Sequence, residues 1–270
     1  MKRRYRFECK APRRFMGRII MKWGGGLISE KTTLCTPHMD QIQRLANCVK
    51  RLVEMGHDLI IVHGAGSFGH ILAREHRLDE GDIHGLEQGV AINQVRTDMD
   101  ILHSLVITSL QPLSVNSHPP RGFVINTGPH FQGDLGRFLE PGVHITFGDV
   151  VDCDPPRNFG ILSGDDLMLR LSTELPDVSH TIFAMGGTPG LMTTSDSSGE
   201  LIALWNKNMG FSGHHSEHFD VTGGIFLKVE RAADISEFVE NVWLVDGVHP
   251  ERIMEIVEQG HSIGTRIVSP

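Results

Sequence analysis

The chain has 270 residues, of which 25 are Lys or Arg and 33 are Asp or Glu, giving a formal charge of -8. That length buries a substantial core, as one large α/β domain or two closely joined lobes, and no apolar run reaches the roughly 18 residues that cross a membrane. The four cysteines (Cys9, Cys35, Cys48, Cys153) form no C-x-x-C pair, which argues against a disulfide framework and for a reducing, cytoplasmic setting.

The charge is unevenly spread. Residues 1–15 (MKRRYRFECKAPRRF) hold seven basic side chains and one acid, Glu8, so the remainder carries a charge of -14. A body this acidic is a poor surface for nucleic acid, whose affinity rests on phosphate neutralisation. The leader is Arg-rich like a transit peptide but lacks serine, and a nucleic-acid or membrane arm is a further reading. The simplest reading is a flexible or mis-started extension, dispensable to chemistry, because Met16 opens a sensible domain start, MGRIIMKWGGG.

From residue 18, strand and helix patterns alternate. RIIMK (18–22) is a short apolar run ending in glycines, as a buried strand feeding a loop should be. Ile42, Leu45, Val49, Leu52 and Val53 form a helical stripe between Pro37 and Gly56. DLIIVHG (58–64) is a second buried strand, with a helix expected near Phe68, and residues 87–110 carry another helical pattern. GVHITFGDV (142–150) reads as one strand and GDDLMLRLSTEL (164–175) as a helix. HTIFAM (180–185) and NVWLVDG (241–247) are further strands, and HPERIMEIVEQG closes as a helix. This alternation predicts a three-layer αβα sandwich around a mainly parallel sheet.

Four segments place small and polar residues where strands end, the edge at which open α/β sheets bind ligands. Lys22-Trp23-Gly24-Gly25-Gly26 offers bare amides beside a point charge, suited to an anion or to an ordinary tight turn. His63-Gly64-Ala65-Gly66-Ser67-Phe68-Gly69-His70 follows the second strand and lacks the G-K-[ST] ending of a P-loop. Two glycine-rich strand exits suggest two phosphates facing each other, with His70 able to donate to one. In Ile161-Leu162-Ser163-Gly164-Asp165-Asp166 an acid could orient lysines, approach a metal, or simply cap a helix. Asp220-Val221-Thr222-Gly223-Gly224-Ile225-Phe226-Leu227-Lys228 puts Lys228 about one helical turn beyond its glycines.

Taken in order, these strings resemble the amino acid kinase superfamily, and within it the isopentenyl phosphate kinases. IIMKWGGGLISEK, IIVHGAGSFGH, TFGDVV, ILSGDDLM, DVTGGIFLK and GTRI span residues 19 to 267, and VHGAGSFGH with its final histidine is the specific part. The resemblance implies an amino acid kinase fold over 16–270, with an acceptor-phosphate lobe (about 16–155) and a nucleotide lobe (about 156–270). It implies ATP- and Mg²⁺-dependent phosphorylation of isopentenyl phosphate to isopentenyl diphosphate, in isoprenoid precursor synthesis by an alternative mevalonate route. By position, Lys22, Gly24, Gly25 and Gly26 would bind ATP phosphates, joined by Gly66, Gly223 and Gly224. Lys31 would lie near the transferred group, Lys228 would stabilise its charge, and Asp165 would organise Lys22 and Lys228. Ala65, Gly66, Ser67, Gly69, His70 and Gly148 would hold the acceptor phosphate. The implied catalytic set is Lys22, His70, Asp165 and Lys228, in a homodimer acting on a small molecule, with no nucleic acid, no membrane and no resident metal.

One segment departs from this pattern. Relatives read T-D-V-D-G-[IV]-Y after the strand at 180–183, whereas this chain has Ala184-Met185-Gly186-Gly187-Thr188-Pro189-Gly190-Leu191-Met192. Two rival readings follow: a kinase of the same fold for another small phosphate or phosphonate (fosfomycin-type), and a non-catalytic nucleotide- or anion-binding relative. The run Gly213-His214-His215-Ser216-Glu217-His218 reads as a surface loop before it reads as a metal site, and Trp205 and Trp243 as packing residues.

Overall fold

In this computed structural model, the described residues are 15–194, 199–209 and 224–270. Strand β1 (Arg18–Trp23) is buried along its whole length, as a run with helices on both faces must be. A single turn, α1 (Gly25–Ile28), follows directly, and α2 (Met39–Glu54) starts two residues after Pro37 with the expected stripe turned inward. Strand β2 (Asp58–His63) runs parallel to β1, pairing Trp23 with His63 so that both glycine loops leave the sheet side by side. Beyond it a 3₁₀ turn at Gly66–Phe68 precedes α3 (His70–Glu75), so the helix begins at His70, later than the pattern suggested. Then come α4 (Gly89–Ser109), β3 (Val115–Ser117), β4 (Val124–Ile125) and β5 (Gln132–Gly133).

The stretch 142–150, expected as one strand, is two. Strand β6 (Val143–Phe147) joins the main sheet, while β7 (Asp149–Asp152) leaves it to pair antiparallel with β8 (Phe159–Leu162). Gly148 is the break, since a Cβ there would lie 3.0 Å from the Leu162 carbonyl oxygen. The chain continues through α5 (Gly164–Glu174), β9 (Val178–Met185), β10 (Leu204–Trp205), α6 (Gly224–Ile235), β11 (Asn241–Asp246), α7 (Glu251–Gln259) and β12 (Thr265–Ile267).

Among the described residues eight strands form the main sheet in the order β10-β12-β11-β9-β1-β2-β6-β3, parallel except between β11 and β12. Helices cover both faces, which makes the architecture the three-layer αβα sandwich the alternation predicted. On one face Ile19, Met21, Trp23, Leu59 and Ile61 pack with apolar residues of α2, α4 and α7, and Trp243 joins them. On the other Ile20, Ile60, Val62 and Phe183 pack with α5 and α6, together with Trp205. The two-residue alternation of β1 therefore turns Lys22 toward α5 and α6. That parity puts a cation on the face that also carries Asp165 and Lys228. Among the described residues no helix is long and apolar enough to cross a membrane.

Candidate active site

A cavity of about 260 Å³ opens at the carboxyl ends of β1 and β2. Its polar wall begins with two glycine loops in direct contact. A Cβ on Gly25 would run into the Gly66 amide nitrogen, and one on Gly64 would stand 2.5 Å from the Gly25 nitrogen, so neither loop tolerates a side chain. Gly66 also has φ +50°, and its Cβ would collide with Ser29 Oγ. The contact leaves amides unspent: among the described residues none accepts from the N–H groups of Gly25 or Gly26, which open α1, nor from those of Ala65 or Gly66. Four amide donors at one wall form a cradle for anionic oxygen.

Opposite them stands a buried charge cluster. Lys22 Nζ lies 2.6 Å from Asp165 Oδ1, and Lys228 Nζ donates to the same oxygen at 3.0 Å and to Oδ2 at 3.3 Å. Asp165 is 3% exposed. Burial by itself raises its carboxyl, but Lys22 and Lys228 together outweigh that and hold it below the usual carboxylate range. Asp165 sits in the first turn of α5, whose cap is Ser163 accepting from the Asp165 amide at 3.1 Å, so its charge also meets the positive end of that helix. The neighbouring Asp166 points elsewhere, to Arg231 Nε at 2.7 Å, and burial raises its carboxyl despite that partner. One carboxylate against two lysines leaves net positive charge at the cavity.

The remaining predicted residues fall as follows. Lys31, Gly69, His70, Gly148 and Gly224 line the cavity beside Lys22, Gly24, Gly25, Gly26, Ala65, Gly66, Asp165 and Lys228. Ser67 does not: it is fully buried, its amide donates to Ser29 Oγ at 3.0 Å and its Oγ accepts from the Thr36 amide at 3.3 Å. Ser67 thus braces the loop from behind. Gly223 and the histidines of 213–218 lie outside the described residues. The departing segment backs the first glycine loop: Gly24 N–H donates to the Ala184 carbonyl at 2.9 Å, and a Cβ on Gly186 would stand 2.9 Å from the Gly26 carbonyl. Asp246 at the end of β11 accepts from the Gly187 amide of this segment at 3.3 Å.

Ala73, Val95 and Met99 belong to no sequence motif, while Val150 and Ile161 fall in TFGDVV and ILSGDDLM. Together they make an apolar wall from α3, α4, β7 and β8, continuous with the glycine cradle. Val95 and Met99 are spaced by four on α4, the only periodic signal that could have flagged them. Asp149 lies at the same rim with Arg121 Nη1 at 2.5 Å from Oδ2, and Arg121 also pairs with Asp100. Burial pushes the Asp149 carboxyl up to about 6 against the pull of Arg121 and Arg96.

A parallel αβα sheet with two facing glycine loops and a Lys–Asp–Lys cluster is the apparatus of a small-molecule phosphotransferase. Residues 17–260 match the amino acid kinase family, and the chain belongs to that family. Its relatives include the isopentenyl phosphate kinase of Thermoplasma acidophilum, 31% identical over 92% of this chain and 99% of that one. The isopentenyl phosphate kinase of Methanothermobacter thermautotrophicus is likewise 31% identical over 92% of this chain and 98% of that one. A crystal structure of an isopentenyl phosphate kinase substrate complex superimposes with a TM-score of 0.76 at 26% identity, covering 93% of this chain and 99% of that one. The carbamate kinase of Giardia lamblia shares the fold alone, with a TM-score of 0.59 at 8% identity over 94% of this chain and 99% of that one.

Proposed function

We propose that the chain transfers the terminal phosphoryl group of ATP to isopentenyl phosphate, giving isopentenyl diphosphate and ADP. The observation that carries this reading is the continuity of the cavity: a cradle of unspent amides and His70 runs directly into the apolar wall of Ala73, Val95, Met99, Val150 and Ile161. An acceptor with a phosphate head and a short hydrocarbon tail matches that sequence of surfaces. The names of the relatives point the same way.

In this reading the lobe of residues 16–155 holds the acceptor and that of 156–270 the nucleotide. An acceptor phosphate oxygen attacks the terminal phosphorus, the bond to the bridging oxygen breaks, and ADP leaves with the electron pair. A phosphate monoester has its second pKa near about 6, so the attacking group is largely dianionic at neutral pH and needs no strong base. His70 then serves as a hydrogen-bonding clamp. The obstacle is repulsion between two phosphates, and Lys22, Lys31, Lys228 and the loop amides offset it. Asp165 keeps Lys22 and Lys228 converged on one point.

Mg²⁺ fits as a companion of the ATP phosphates rather than as an ion in a protein cage. Among the described residues no three His, Cys, Asp or Glu side chains converge, and the Asp165 carboxylate is committed to two lysines. The free thiols of Cys35, Cys48 and Cys153 fit a cytoplasmic setting. The homodimer implied by the resemblance is measured by sedimentation. A coupled ADP-release assay with isopentenyl phosphate tests the activity; no turnover at millimolar acceptor, or faster turnover of a phosphonate, overturns it.

A further inference from the structure

Behind the second glycine loop lies a chain of hydrogen bonds, buried at its centre and reaching the surface at Ser117, that the phosphoryl-transfer reading does not use. His63, the last residue of β2, has Nδ1 3.2 Å from the Gly64 carbonyl oxygen and Nε2 3.1 Å from Nδ1 of His103 on α4. His103 Nε2 lies 2.7 Å from Ser117 Oγ on the edge strand β3. Phe147 of β6 stacks on His63 at 5.0 Å between centroids and closes the packing around both rings.

The chemistry of the ends fixes every proton. A carbonyl oxygen can only accept, so His63 Nδ1 carries its proton and Nε2 is the acceptor of the neutral ring. His103 Nδ1 must then donate, leaving His103 Nε2 to accept from the Ser117 hydroxyl. The chain runs one way, from Ser117 through His103 and His63 to the Gly64 carbonyl. A hydrogen bond accepted by that carbonyl polarises the Gly64–Ala65 peptide and makes the Ala65 N–H a better donor. That N–H is one of the four cavity amides with no acceptor among the described residues.

We propose that His63, His103 and Ser117 are positioning residues that orient and polarise the Ala65 amide toward the phosphate of the acceptor. The proposal rests on the reading of Ala65 as part of the acceptor cradle. Both rings stay neutral for the relay to run in this direction, and burial, the largest influence on each, pushes His63 down to about 3 and His103 to about 4. The charged or titratable groups that face them are each other, then Asp100, Arg121 and His118 around His103, of which only Asp100 favours its charged form.

Two measurements on the full chain test it. Long-range proton–nitrogen NMR on imidazole-labelled protein, with no substrate present, should find His63 protonated on Nδ1 and His103 on Nδ1, unchanged from pH 8 to pH 5. A His63 proton on Nε2, or titration of either ring in that range, overturns the relay. In kinetics, His103→Leu removes the donor and should raise the acceptor KM about tenfold with the ATP KM within about twofold, the size of one lost hydrogen bond. His103→Asn places an amide N–H where Nδ1 stood and should recover most of the loss. Ser117→Ala, at an exposed position that spares the fold, should raise the acceptor KM about threefold. Equal changes in both KM values, no recovery with Asn, or an unchanged KM in Ser117→Ala overturns it. Absence of turnover in the unmodified protein instead overturns the substrate reading, and the proton positions are still read without substrate.

Discussion

The two ends of the cavity are built on opposite principles. At the charged end every participant stands within a few residues of a strand exit or helix start: Lys22 near the end of β1, Asp165 at the start of α5, Lys228 one turn into α6. At the apolar end the wall is assembled from α3, α4, β7 and β8, with no two contributors from one element except Val95 and Met99. In the proposed reading the charged end handles the feature common to all phosphoryl donors and acceptors, so its demands are local and few. The apolar end, in the same reading, recognises what is attached to the phosphate by shape, which only several elements together can supply.

The largest expected effects strike the charged end. Lys228→Ala and Lys22→Ala should each lower kcat at least about 100-fold, the loss typical of removing one donor from a developing anion, as steady-state kinetics would record. Asp165→Ala removes the carboxylate shared by buried Lys22 and partly buried Lys228 and should also cost about 3–5 kcal/mol of stability in denaturant unfolding. Survival of near-normal rates in either lysine variant would mean that the cluster is structural only.

His70→Ala stands at the junction of the two ends and should lower kcat/KM for the acceptor about 100-fold while the fold survives by circular dichroism. At the apolar end Met99→Asn should raise the acceptor KM about tenfold and leave the ATP KM unchanged, as expected for a lost apolar contact of 1.5 kcal/mol or so. If ATP affinity fell equally, the apolar wall would not belong to the acceptor.

Acid should act on the scaffold behind both ends. Burial depresses His63 to about 3 and His103, His118 and His180 to about 4, so the unfolded chain binds more protons than the folded one below the ordinary histidine value of 6.5. Stability from these rings is fully present above pH 6.5 and falls as pH drops toward 4. A ring that stays neutral costs up to about 1.4 kcal/mol per pH unit in that window. Asp149, raised to about 6, and Asp166, also raised by burial, work the other way, against these four rings and the likewise lowered His57 and His144. Urea midpoints measured from pH 7 to pH 4.5 should therefore decline steadily. The smallest effect is expected from a chain beginning at Met16, which should keep its activity, since among the described residues the first to line the cavity is Lys22.

Much of the fold was legible because its signals are periodic. Unbroken apolar runs marked β1 and β2, and the stripe of α2 gave its bounds to within a few residues. The strand at 142–150 was misread because burial continues across Gly148, and a period-two pattern cannot register that the chain changes sheets. Within the site, glycines and lysines at strand ends could be found by chemistry and spacing. Ser67 could not be distinguished from its loop neighbours, because whether a hydroxyl faces the cavity or Thr36 depends on the path of the backbone.

By itself the sequence determined the layered fold, the strand ends that carry anion chemistry, and the residue types gathered there, because each follows from local periodicity or from a short motif. Only the tertiary structure decided that Lys22 and Lys228, 206 positions apart, share one oxygen of Asp165. It also decided that Gly25 and Gly66 touch, that an apolar wall continues their cradle, and that two histidines 40 positions apart stand hydrogen-bonded behind it. These are contacts between separate elements. They depend on sheet order and on which face each strand turns outward, and the crossing of parallel strands brings them together only when the chain is folded.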